Sequence, residues 1–204
     1  MKKVILAILA LIIATILMAE EQNKHGLGFA GGMISGSGFS YRYLGENHGY
    51  QINLAGISSG YDDDKFPESM TYEGIDQNDI YTEQHDGRET FLNIGINYLK
   101  PLHATIKSTF YALGGAAIYY NSNETYEQDY TFDPSQDTFL PTSDIREISD
   151  KETRVNFGVG IGIVYNLTNN ISLFVDWPLV ASYNGENMDL FMAIPQGGIH
   201  YFFK

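Results

Sequence analysis

Residues 154–183 read RVNFGVGIGIVYNLTNNISLFVDWPLVASY, and their apolar side chains recur at every second position. Val155, Phe157, Val159, Ile161, Ile163, Tyr165 and Leu167 share one face, against Asn156, Gly158, Gly160, Gly162, Val164 and Asn166 on the other. Beyond a turn at 168–170, Ile171, Leu173, Val175, Trp177, Leu179, Ala181 and Tyr183 repeat the pattern against Ser172, Phe174, Asp176, Pro178, Val180 and Ser182. A period of two belongs to strands, whereas a helix would repeat near 3.6. The stretch is therefore a hairpin with one greasy face and one small or polar face. A water-soluble barrel would turn the greasy face inward and coat the other with Lys, Glu and Asp. Here the second face carries few charges, which fits a membrane barrel whose apolar side chains meet lipid while small and polar groups fill a narrow lumen.

Working outward, the same alternation gives eight candidate strands, at 26–33, 38–45, 49–60, 89–101, 106–120, 153–167, 171–183 and 189–203. An even number suits an up-and-down barrel. The connections at 45–49, 102–105 and 168–170 are tight, whereas 61–88 and 121–153 are long, the asymmetry of an outer-membrane barrel with short periplasmic turns and longer external loops. Closure is a physical requirement in lipid, because an open strand edge would leave backbone groups unpaired at several kcal/mol each. Tyr43, Tyr50, Tyr98, Tyr165, Tyr201 and Phe203 fall toward the short-turn end and Phe91, Tyr120 and Tyr183 toward the other, as interfacial girdles would; Trp177 falls mid-strand.

Composition agrees. The chain has 204 residues, 44% hydrophobic and 18% charged, enough for an ordered domain and too apolar for a disordered tail. Its 21 Gly, 15 Tyr and 12 Phe favour strands and turns. Twenty-five acids against 12 bases argue against a nucleic-acid partner, which demands a basic footprint. The absence of Cys removes disulfides, thiolate metal sites, cysteine nucleophiles and a lipidated cysteine. Residues 1–19, MKKVILAILALIIATILMA, combine a basic start, an apolar run too short to span a bilayer and a small residue before Glu20, the pattern of a cleaved secretory signal peptide. The expected organisation is a signal peptide at 1–19 and one eight-stranded antiparallel barrel domain at 20–204, located in a bacterial outer membrane.

The glycine-rich opening HGLGFAGGMISGSGFSYRYL at 25–44, the hairpin at 156–183 and the closing GGIHYFFK at 197–204 resemble the small bacterial outer-membrane barrels of the OmpA/OmpX-like family. The resemblance covers the mature chain and implies the eight-stranded architecture; it is nearly silent on activity. Members commonly end in Phe, which looks like an assembly signal, whereas here Phe203 is followed by Lys204. With the last strand at the end of the sequence, no peptidoglycan-binding domain is expected after it.

Strand parity places Arg42, Asn53, Asn93, Asn97, Lys107, Asn156 and Asp176 in the lumen, together with Gln196 and His200 unless Pro195 shifts the last strand. Buried charges must pair or be hydrated, so an Arg42–Asp176 ion pair is expected across the narrow interior. The two long segments, 61–88 and 121–153, each hold nine acids and two bases. Asp62, Asp63 and Asp64, or Asp129 and Asp133, are the candidates there for contacts to a hard cation, although no EF-hand spacing is present and a solvated, self-repelling loop is the simpler account. No resident metal or cofactor is expected. His85 beside Asp86 comes nearest to a catalytic set, but no G-x-S-x-G and no coupled serine accompany it, so no enzyme is expected. The reading is a monomer among outer-membrane lipids, with a structural or surface-interaction role carried by the acidic loops and an extracellular partner as their target. A narrow pore and a soluble ligand-binding barrel are the alternatives.

Overall fold

The computed structural model describes residues 25–60, 66, 80–191 and 194–203; the segment 1–19 and Asp62, Asp63 and Asp64 lie outside them. The described residues form ten strands and no helix: β1 His25–Gly31, β2 Gly38–Leu44, β3 Gly49–Gly60, β4 Ile80–Ala104, β5 Ser108–Asp133, β6 Thr138–Pro141, β7 Arg146–Asn166, β8 Ile171–Tyr183, β9 Met188–Phe191 and β10 Gln196–Phe203. Along the sheet the order is β10-β1-β2-β3-β4-β5-β7-β8, and β8 pairs again with β10, so eight strands are hydrogen-bonded in a ring. The other two are short additions, β6 on β5 and β9 on β8. The chain divides into two compact units, one comprising 1–55, 93–119 and 153–204, the other 56–92 and 120–152.

In the first unit the alternation falls as the sequence implies. Phe157, Val159, Ile161 and Tyr165 of β7 are exposed while Asn156 and Val164 are buried, and Leu173, Trp177 and Leu179 of β8 are exposed while Phe174, Asp176 and Val180 are buried. Ile94, Ile96 and Tyr98 of β4 point outward against Asn93, Asn97 and Leu99. Tight turns close at Gly45–His48, Thr105–Ser108 and Leu167–Ile171, each with a backbone hydrogen bond of 2.7–2.9 Å. At that end Tyr43 and Tyr50 stack with ring centroids 5.1 Å apart.

Three expectations require correction. The stretch 26–33 does not run as one strand: β1 stops at Gly31, and Ile34 and Ser35 are buried, so the connection to β2 turns into the ring. β1 and β2 are consequently seven residues each, shorter than the nine to eleven of a tilted spanning strand. The last strand is broken as well. β9 pairs Phe191 with Val180 and β10 pairs Gln196 with Asp176, so the register of the chain against β8 slips by one residue between the two strands. One extra residue, with Pro195 unable to donate to the ladder, switches the outward parity from Met188 and Leu190 to Ile199 and Tyr201.

The third correction concerns the long loops, whose described parts are largely strand. β4 and β5 run to 25 and 26 residues, and β7 begins at Arg146. In this second unit Tyr130 and Phe139 form a small core with Phe66, Tyr81 and Phe132 packed on it. Polar pairs link its strands: Ser58 with Thr90 at 2.9 Å, Thr82 to Asp129 at 2.8 Å and Gln84 to Glu127 at 2.5 Å.

Candidate functional site: a filled polar interior

The interior of the first unit is built around the inward turn at residues 32–37. Its backbone is held by side chains from four strands. Asn53 Nδ2 of β3 donates to Gly36 O at 3.1 Å, and the Ser37 amide donates to Asn93 Oδ1 of β4 at 2.7 Å. Tyr119 of β5 donates through its hydroxyl to Gly32 O at 2.5 Å, and Asn156 Nδ2 of β7 to Met33 O at 2.9 Å. Asn97, with its amide oriented to satisfy both groups, donates to Ile34 O at 3.2 Å. Each is a buried or half-buried polar group matched to a backbone group that would otherwise be orphaned by leaving the sheet. Glycines make the room. A Cβ on Gly95 would lie 2.2 Å from Ser35 O, and Gly36 sits at φ 73°, where only glycine is unstrained.

Beside this turn lies the charged cluster. Arg42 Nη2 of β2 donates to the Tyr111 hydroxyl of β5 at 2.7 Å, and that hydroxyl donates to Asp176 Oδ1 of β8 at 2.5 Å. The direct Arg42–Asp176 pair expected from parity is thus replaced by a bridge through Tyr111, because the ring is wide enough to admit one phenol between the two charges. The guanidinium lies over the Phe174 ring, 4.0 Å from its centroid, a desolvated cation–π contact. Gly162 creates the pocket for this arrangement: a Cβ there would stand 2.1 Å from Asp176 Oδ1 and 2.7 Å from the Tyr111 ring. Gly162→Val should therefore cost about 1–3 kcal/mol of stability by overpacking. Gly114→Ala, whose Cβ would meet nothing closer than 3.6 Å, is the control that should leave unfolding in urea nearly unchanged.

A third contact ties the ring across β1. His200 Nε2 of β10 and Ser40 Oγ of β2 lie 2.8 Å apart, both opposite Gly28, whose missing side chain lets them meet. His200 also stacks on Phe174 at 5.3 Å and faces Phe202 at 6.1 Å.

Arg42, Asn53, Asn93, Asn97, Asn156 and Asp176 are therefore all buried in this interior. Lys107 is a correction. β5 begins at Ser108, so Lys107 sits in the preceding turn, exposed to water, on the rim of a cavity of about 430 Å³ lined also by Leu44, Thr109, Val164, Ser172 and Phe202. Parity does not extend into a turn, and a lysine there keeps its head hydrated. Tyr111 and Tyr119 went unnoticed, although they lie on the same parity that suggested Lys107. The turn at 32–37 gave no signal beyond its glycines.

In the second unit the two described carboxylate candidates already have protein partners. Asp129 accepts from Arg146 at 3.0 Å and from Thr82 at 2.8 Å. Asp133 closes the β5–β6 turn by accepting from the Ser135 amide at 2.8 Å and hydroxyl at 2.7 Å, which hold its carboxyl below the usual carboxylate range. In the structure Asp129 is thus part of an ion pair and Asp133 part of a turn. His85 lies 3.3 Å from Glu83 and packs on Phe66.

The fold and its interior define a class: an all-β chain whose eight ringed strands turn apolar side chains outward around a packed interior in which buried polar groups sit beside an apolar cluster of Ile34, Leu99, Leu113, Val164 and Val180. No protein-family model matches the chain, and no curated protein does. Among solved structures it is similar to the crystal structure of CarO from Acinetobacter baumannii, at 14% identity and a TM-score of 0.39, over 90% of this chain and 98% of that one. At that distance no property of CarO extends to this protein.

Proposed function

We propose that this chain is an outer-membrane β-barrel protein, exported by residues 1–19, with an occluded lumen and a surface-interaction role carried by the acidic second unit. The observation that supports the membrane placement is the outward apolar face: Val159 is 62% and Ile96 56% exposed, with Phe157, Trp177 and Leu179 around them. A water-soluble barrel would bury those side chains, whereas lipid is the solvent that accepts them. The strand extensions, by contrast, carry most of the chain's net charge and suit the aqueous side. The inward turn and the Arg42–Tyr111–Asp176 bridge occupy the space that a conduit would need. Planar-bilayer recordings of the purified protein should accordingly show no conductance above background, and stable openings would restore the pore alternative.

Heat-modifiable migration combined with membrane fractionation tests the placement. The expected result is a compact unboiled species retained in the outer-membrane fraction; a species soluble without detergent would overturn it. Replacing 61–88 and 121–153 by short turns tests the role, with the ring expected to insert as before and surface binding to be lost.

A further inference from the structure

Three tight turns close the ring at one end, and the charge there is opposite in sign to that of the chain. Residues 44–50, 98–110 and 165–171 hold Lys100 and Lys107 against one acid, Glu46, whereas the whole chain carries a net charge of -13. The two lysines stand differently. Lys100 is exposed near the end of β4, on the outward parity of Tyr98, and its Nζ donates to Asn47 O at 3.0 Å. Lys107 sits in the turn to β5. Its amide donates to Thr105 Oγ1 at 3.3 Å and its carbonyl accepts from the Asn166 amide at 2.8 Å, so its backbone is pinned. Among the described residues no carboxylate pairs with its ammonium.

The cavity that Lys107 rims has matching chemistry. Leu44, Val164 and Phe202 form its apolar side, Thr109 and Asn169 bring a hydroxyl and an amide, and no carboxylate is among its described lining residues. Ile106, next to Lys107 and also on the rim, is 97% exposed, an apolar side chain held out at the tip of the turn. A cation, neutral hydrogen-bonding groups and apolar side chains side by side suit a partner that is anionic at one point and apolar beside it. We propose that this end of the ring docks the headgroup of an anionic phospholipid, with Lys107 as the principal contact and Lys100 as a second cation on the same hairpin; the inference rests on the membrane reading above. A free phosphate would use Lys107 but leave Ile106 in water, which favours the lipid as the occupant.

Native mass spectrometry of the intact mature protein, released from dodecyl maltoside after mixing with equal amounts of palmitoyl-oleoyl phosphatidylglycerol and dioleoyl phosphatidylcholine, tests the docking by resolving the two adducts. The expected result is a preference of about fivefold or more for the first phosphatidylglycerol, the effect of one lysine near an anionic headgroup. Lys107→Gln should remove most of it and Lys100→Gln a smaller part, while Lys151→Gln, at an exposed position of β7, should leave it unchanged. Raising the ammonium acetate from about 0.05 to 0.5 M should erase the preference by screening. Heat-modifiable migration shows which variants fold. Equal binding of the two lipids, or a preference that survives Lys107→Gln, would overturn the proposal. Excess glycerol 3-phosphate identifies the source of the phosphate: the lipid adduct should persist, and its displacement would overturn lipid docking in favour of a free-phosphate site. The two failures are distinguishable. Equal adducts on a protein retained in the outer-membrane fraction leave the membrane reading standing, whereas a protein soluble without detergent that takes up neither lipid defeats both.

Discussion

Asp176→Ala is expected to lower stability by about 3–5 kcal/mol, and Arg42→Ala by a similar amount, because each strands the opposite charge in a site closed to water. The geometry gives the reason. Arg42 and Asp176 are fully buried, and the Tyr111 hydroxyl is the shared partner, accepting from Arg42 Nη2 at 2.7 Å and donating to Asp176 Oδ1 at 2.5 Å. Among the described residues Arg42 Nε and Nη1 and Asp176 Oδ2 make no further hydrogen bond, so deleting either member leaves the other charge poorly compensated. The double variant should cost far less than the sum, since it removes both charges together. Arg42→Met with Asp176→Leu should come closer still to wild type, because hydrophobic replacement of a buried pair is often neutral or stabilising. Urea unfolding of vesicle-reconstituted protein, followed through Trp177, measures all four. Strictly additive losses would show that the two residues act independently and that the phenol bridge has no energetic meaning. Tyr111→Phe separates bridge from charge: it keeps the ring beneath Arg42 and removes only the hydroxyl, for an expected loss of about 1.5–3 kcal/mol, the range of a hydrogen bond to a charged group.

Wherever one side of the sheet meets a different medium from the other, strand and face were legible in the sequence. β8 spans 171–183 as its alternation implies, and Asn93, Asn97, Asn156 and Asp176 are buried on the parity that placed them inward. The signal fades where both sides meet the same medium. Residues 146–154 of β7, REISDKETR, are exposed at every position, so no alternation of polarity marks them as a strand even though their backbone pairs like one. The inward turn at 32–37 is a different case. It is fixed by hydrogen bonds from Asn53, Asn93, Tyr119 and Asn156, side chains 16 or more positions away, and no local pattern encodes contacts of that range. Pro195 did announce the break in the last strand, because a missing amide is a local property. The phenol bridge falls between these cases. Parity placed Arg42 and Asp176 on the inner face, but only the ring's width and the space left by Gly162 decide that a tyrosine stands between them.

Ile96→Arg and Val159→Arg are expected to cost about 2–4 kcal/mol each if they sit near the bilayer midplane, the depth-dependent cost of a cation on the lipid face of a membrane barrel. The same substitutions distinguish the two solvents without reference to any partner. Both side chains are more than half exposed and no core contact depends on them, so on a water-facing surface the change would fall within about 0.5 kcal/mol. The expected contrast is therefore several-fold, and its sign is fixed by the medium. Position supplies an internal control. Leu167, exposed beside the short turn that joins β7 to β8, lies where an arginine can reach headgroups and water, so Leu167→Arg should cost no more than about 1 kcal/mol. Unfolding in vesicles, read by urea titration and by loss of heat-modifiable migration, should rank Ile96 and Val159 above Leu167. A flat profile across the three positions would mean that the apolar face does not meet hydrocarbon, and the ringed strands would then need another apolar surface to cover them.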